Sequence, residues 1–81
     1  MLFLVDKPMA ELAFRTARTA PDAELVLIQD GVLLEPTLDV PTYAVERDLA
    51  VRGVTPPETV EPITYDQLVQ KLFEQEVKSF V

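Results

Sequence analysis

ELVLIQDGV, residues Glu24 to Val32, sets four apolar side chains in a row, Leu25 to Ile28, against an abrupt polar stop at Gln29, Asp30 and Gly31. A short continuous apolar run closed by turn residues reads as a strand buried on both faces. Such strands belong to mostly parallel sheets with helices on each side. In those sheets, sites form just beyond the carboxyl ends of the strands. Gln29-Asp30-Gly31 therefore falls on the expected functional edge. A plain turn accounts for the same residues, with Gly31 supplying a positive φ and Asp30 capping the segment that follows.

Working outward toward the N-terminus, Leu2 to Val5 is a second apolar run, stopped by Asp6-Lys7-Pro8, and reads as a buried first strand. Asp6 or Lys7 precedes a helix with Pro8 in its first turn, where the missing N–H does no harm. Met9 to Ala20 is alanine-rich, lacks internal Gly and Pro, and predicts that helix. Its apolar arc runs from Leu12 through Met9, Ala13 and Ala17 to Phe14, roughly 200° wide and broader than one sheet face requires. Phe14, at the rim, either covers the edge of the domain's own core or touches another chain. Glu11 and Arg15 make a solvated i,i+4 pair. Ala20-Pro21-Asp22 ends the helix.

Toward the C-terminus, Val32 to Leu34 opens a short helix, and Glu35 to Val40, held between Pro36 and Pro41, reads as a truncated crossover. Thr42 to Val45 predicts a third strand, and Arg47 to Val51 a short helix stopped by Gly53. Thr55 to Pro62 holds three prolines and reads as loop, with a brief strand at Val60 to Ile63. Thr64 and Gln67 form a capping box, flanked by the staple pair Ile63 and Leu68. In the helix that follows, Leu68, Val69, Leu72 and Phe73 share one face with Tyr65, against Gln67, Gln70, Lys71 and Glu74 on the other. Val77, Phe80 and Val81 form an apolar tail, folded back on the core or offered to a neighbour. The alternation predicts a compact three-layer α/β domain with about four parallel strands flanked by helices. One domain spans residues 1–81.

Composition narrows the function. A chain of 81 residues with 48% apolar content sits near the small end of what one core can stabilise, a lean toward association. Fourteen acidic against seven basic residues give a net charge of −7. That field repels a phosphate backbone, so no direct nucleic-acid partner is expected. No apolar run reaches the ~20 residues that cross a bilayer, and MLFLVDKP lacks the basic start of a signal peptide. The expectation is a cytoplasmic protein without a membrane partner.

Neither cysteine nor histidine is present. That removes the thiolate nucleophile, the Ser-His arrangement and the histidine metal site. Gly31 and Gly53 stand alone, so no glycine-rich phosphate loop exists. Paired carboxylates such as Glu46 with Asp48 are of the type that does acid–base work, and a solvated helix-start cluster explains them better. No catalytic residue, cofactor or metal is expected, and composition describes a small binding or scaffolding domain.

Three blocks in order go further: Leu27-Ile28-Gln29-Asp30-Gly31-Val32, then Tyr43-Ala44-Val45-Glu46-Arg47-Asp48-Leu49-Ala50-Val51-Arg52-Gly53, then Ile63-Thr64-Tyr65-Asp66-Gln67-Leu68-Val69. Together they resemble the DsrH/TusB family of sulfur-relay subunits, across nearly the whole chain. The family pattern has a strand ending in Q/E-D-G-[VI], then Y-x-L-x-x-D-x-x-A-R-G, then an I-x-Y-x-x-[FL]-V helix start. The chain departs from it at Val51, where the family has alanine, and in a shorter region between Val32 and Pro41.

The resemblance implies a DsrEFH-like α/β fold and a role in passing persulfide sulfur between proteins. In the TusBCD type of complex the sulfur goes to 2-thiouridine at the wobble position of certain tRNAs; in the DsrEFH type it is linked to sulfur oxidation. In TusBCD the carrier cysteine belongs to the TusD partner, while DsrH-type members often carry one of their own on the first helix. A chain without cysteine looks like the TusB variety, a non-catalytic structural subunit beside DsrE/TusD-like and DsrF/TusC-like partners. Carried over residue by residue, Gln29, Asp30 and Gly31 match the post-strand signature, and Asp48, Arg52 and Gly53 match the second block. With Phe14, the residues Gln29, Asp30, Gly31, Asp48 and Arg52 form the expected partner interface. The structural reading of the same residues is an Asp48 helix cap, an Arg52 bound to carbonyls or to Asp30, and a Gly53 helix stop. The alternative function is a stand-alone homodimeric α/β binding module outside sulfur chemistry.

Overall fold

In the computed structural model, which describes all 81 residues, the two apolar runs become neighbouring strands of one parallel sheet. The strands are β1 (Leu2–Val5), β2 (Glu24–Leu27), β3 (Thr42–Val45), β4 (Val60–Ile63) and β5 (Val77–Phe80). Their order across the sheet is β4-β3-β2-β1-β5, all parallel. The helices are α1 (Ala10–Thr19), α2 (Glu46–Arg52) and α3 (Tyr65–Glu74). A three-layer α/β domain is what the alternation of patterns predicts. The count of about four strands is corrected to five. The apolar tail folds back as β5, beside β1, with the Phe80 ring stacked on Phe3 at 5.5 Å between centroids.

Handedness decides which face each helix covers. The chain steps in one direction from β1 to β4, so right-handed crossovers keep α1 and α2 on one face. The return from β4 to β5 runs the other way and carries α3 to the opposite face. Two cores follow. Phe3, Val5, Leu25, Leu27, Ala44 and Val60 meet Ala10, Ala13 and Ala17 of α1 and Leu49 of α2. On the other face Leu2, Val26, Val45 and Ile63 meet Leu68 of α3.

The three helices start and stop for local reasons. Asp6 accepts the Lys7 N–H and opens a 3-10 turn, Lys7–Met9, in which Pro8 sits ahead of α1. α1 turns its alanines on the sheet, so the helix can lie close. Gly53 ends α2 with φ 62°; its N–H donates to the Ala50 carbonyl and the Val54 N–H to the Leu49 carbonyl, a Schellman stop. Thr64 and Gln67 form the predicted capping box on α3. The short helix expected at Val32 to Leu34 is a 3-10 turn beginning earlier, Gln29–Leu33, and the segment to Pro41 is irregular. No helix is long and apolar enough to cross a membrane.

Candidate functional site

The carboxyl ends of β1, β2 and β3 carry the polar network that the sequence points to. Immediately after Ile28 the chain enters a tight turn in which the Gly31 N–H donates to the Ile28 carbonyl at 2.8 Å. Gln29 takes the left-handed conformation, φ 51°, a costly one for a side chain larger than glycine. Its backbone N–H donates to Asp48 Oδ2 at 2.8 Å, which holds the turn in place. Gly31 is not the residue with positive φ. It is needed because the turn folds onto the end of β1, where an added Cβ would overlap the Val5 carbonyl.

Arg52 joins the two blocks. Its Nε donates to Asp30 Oδ1 at 2.9 Å, its Nη1 donates to the Asp48 carbonyl at 3.2 Å, and Nη1 lies 3.7 Å from Asp48 Oδ1. Both alternatives for Arg52, a carbonyl and Asp30, are therefore realised together. The expected Asp48 cap is corrected: Val45 is the N-cap of α2 and makes no side-chain cap bond, while Asp48 caps the Gln29 turn instead. The Arg52 side chain is 24% exposed, and Asp30, at 60%, keeps a carboxylate oxygen open to solvent. The guanidinium is thus fixed between two carboxylates at the carboxyl edge. No three acidic side chains gather as a ready cation site. Glu46 lies exposed, while Asp48 accepts from the Gln29 N–H and pairs with Arg52.

Phe14 does not join this network. It lies on α1, half-buried against the core that holds Phe3. The exposed apolar side chains of that segment are Met9 and Leu12.

Two features of the α3 face were not legible as site residues. The first is a groove of about 250 Å³ at the carboxyl edge, lined by Leu4, Ile28, Val45, Tyr65, Leu68 and Leu72, with Gln29 and Asp48 at its polar end. The period-2 pattern does not say which apolar strand residues a helix leaves uncovered. The second is a polar lock at the amino ends of the strands. Lys71 Nζ stands 3.2 Å from Glu24 Oε1 and 4.0 Å over the Tyr43 ring, and Gln75 donates to Glu24 Oε2 at 2.9 Å. Lys71 is thus corrected from the solvated face of α3 to its sheet-facing flank. Burial pushes the Glu24 carboxyl up, but hydrogen bonds from Gln75 and Lys71 and the Lys71 charge outweigh it and hold the group below its ordinary 4.5. Burial likewise pushes Lys71 down, and its bond to Glu24 wins, raising it above 10.5. The signal was Glu24 at the start of a strand otherwise buried, a charge that needs a partner.

Comparison with protein-family models and with curated proteins found no match.

Proposed function

We propose that the chain is a non-catalytic structural subunit of a sulfur-relay complex, presenting its Gln29-Asp30-Arg52-Asp48 edge to a persulfide-carrying partner. The observation that carries the reading is the convergence of two separate blocks. Asp30 belongs to the first and Asp48 and Arg52 to the second, and all three share one hydrogen-bonded network with the Gln29 turn. These are the blocks on which the resemblance to DsrH/TusB subunits rests. A chain without cysteine or histidine would leave the sulfur on a DsrE/TusD-like partner, with a DsrF/TusC-like chain completing the complex in the cytoplasm. The sulfur would serve wobble-uridine 2-thiolation of tRNA, and the acidic chain would not itself hold the nucleic acid.

The test is a pull-down of the tagged chain from its native cells, with mass spectrometry and sizing. Recovery of a cysteine-bearing DsrE/TusD-like chain in equal amounts supports the reading, and recovery without one overturns it. Asp30→Ala sharpens it. The Asp30–Arg52 pair is exposed on one side, so its loss costs folding less than about 1 kcal/mol. The same change is expected to deplete the partner from the pull-down. Unchanged complex size with a large fall in thermal midpoint would assign Asp30 to folding alone.

A further inference from the structure

The sheet is unevenly covered. Two helices, α1 and α2, close one face, whereas α3 alone lies on the other. A helix covers about 10 Å of width and five strands at about 4.8 Å spacing span more than twice that, so one face has room for a second helix beside α3. Leu4, Ile28, Leu72 and Val77 accordingly remain only half-buried on that face.

The outer flank of α3 is apolar where solvent contact would predict polar residues. Tyr65, Val69 and Phe73 follow one another at i, i+4 and i+8 and are 62%, 37% and 87% exposed. The polar side chains Gln67, Gln70 and Glu74 occupy the opposite flank. Phe73 projects at the C-terminal end of this stripe, and the groove opens at the N-terminal end, beside Tyr65. One face thus bears both a knob and a hole, the condition for self-complementary contact about a twofold axis.

We infer that this face binds a second copy of the chain, with the two α3 helices antiparallel about a twofold axis at Val69, so that each Phe73 enters the partner's groove. The register follows from the spacing. Val69 lies four residues from Tyr65 and four from Phe73, so a twofold at Val69 brings each Phe73 level with Tyr65 of the other copy. The groove of about 250 Å³ has the scale of an aromatic side chain. Aromatic side chains carry ~200 Å² each, so the exposed parts of Tyr65 and Phe73 alone supply about 300 Å² per copy. With Val69 and the half-buried Leu4, Ile28, Leu72 and Val77, the face approaches the ~600 Å² per partner at which specific interfaces begin. Lys71 is already paired with Glu24, and Asp66, seven residues before Phe73 on the same helix face, is exposed. The inference goes beyond the relay reading and stands or falls without it.

The experiment is sedimentation equilibrium on the purified chain, over a concentration series up to millimolar. The expected mass is twice the 9.1 kDa of one chain. Phe73→Asp is expected to sediment as a monomer while keeping its circular dichroism, and its thermal midpoint, unlike that of the wild type, is expected not to rise with chain concentration. Because the chain has no cysteine, Val69→Cys introduces a single thiol on the proposed axis, and oxidation is expected to give a covalent dimer. Val51→Cys, exposed on α2 across the sheet, is the control expected to stay uncrosslinked. A wild-type chain that stays monomeric throughout overturns the inference. So does a dimer that survives Phe73→Asp or fails to crosslink through Val69→Cys. These outcomes are read on the isolated chain, apart from any pull-down.

Discussion

The two faces of the sheet are closed by different chemistry. Under α1 and α2, small side chains bring helix and sheet together, and a twelve-residue buried cluster forms around Phe3, Leu25 and Leu27. Under α3, the buried cluster has five residues, and a half-buried ion pair at one end does part of the holding. The first face is held by apolar packing, with Leu12 and Val51 left exposed on its helices. The second carries a capping box, a charged lock and an apolar flank open to solvent. The difference teaches that a small α/β domain can close one face by packing small side chains and hold the other with a smaller apolar cluster and a polar lock.

The sharpest way to break this comparison is to empty the closed face. Phe3→Ala removes a fully buried ring stacked on Phe80 and is expected to cost about 3–5 kcal/mol in urea unfolding. Leu68→Ala, on the α3 face, should cost about 2–3 kcal/mol, the low end for such a truncation, because the adjoining groove lets the site collapse. Equal costs in the two denaturation series would show that the faces are packed alike.

The charged lock should rank next. Lys71→Ala leaves the three-quarters-buried Glu24 carboxylate without its counter-charge, with Gln75 and Tyr43 beside it, an expected loss of about 1–3 kcal/mol. The pH dependence has a definite sign. Glu24 is held below 4.5, so its contribution is fully present above that value and is lost as pH falls through the depressed folded-state value. Lys71 is raised, so its contribution is present below 10.5 and is lost as pH climbs through the higher folded-state value. Unfolding midpoints of the wild type and Glu24→Gln, followed in acid, should converge below 4.5; parallel curves would remove Glu24 from the acid response. The smallest effect is expected at the start of α3. Thr64→Ala deletes the acceptor for the Gln67 N–H and should lower stability by about 1 kcal/mol in the same assay.

Much of the fold was written locally. Strands β1, β3 and β4 coincide with their apolar patterns, and the Thr64–Gln67 box marks the start of α3 to the residue. The carboxyl-edge site was legible in part: the sequence offered carbonyls or Asp30 as partners of Arg52, and the structure uses both. Asp48 was misread as a cap on its own helix because capping preferences are local, whereas its bond to Gln29 spans 19 residues. Positive φ was assigned to Gly31 by residue type. The structure gives it to Gln29 and requires Gly31 for its close approach to Val5, a contact between the turn and the end of β1.

By itself, then, the sequence determined the elements, their parallel alternation, the buried pattern of β1 and β2, and the absence of thiol and imidazole chemistry. Each of these depends on residue type and on spacing within a few positions. Tertiary structure decided the rest: that the tail becomes β5 beside β1, that Lys71 turns inward to Glu24, and that Phe73 is left in solvent. Those outcomes depend on which face α3 reaches, and that follows from the reversal of direction between β4 and β5. A helix wheel shows that α3 has an apolar arc, but only the width of the sheet beneath it determines how much of that arc is covered.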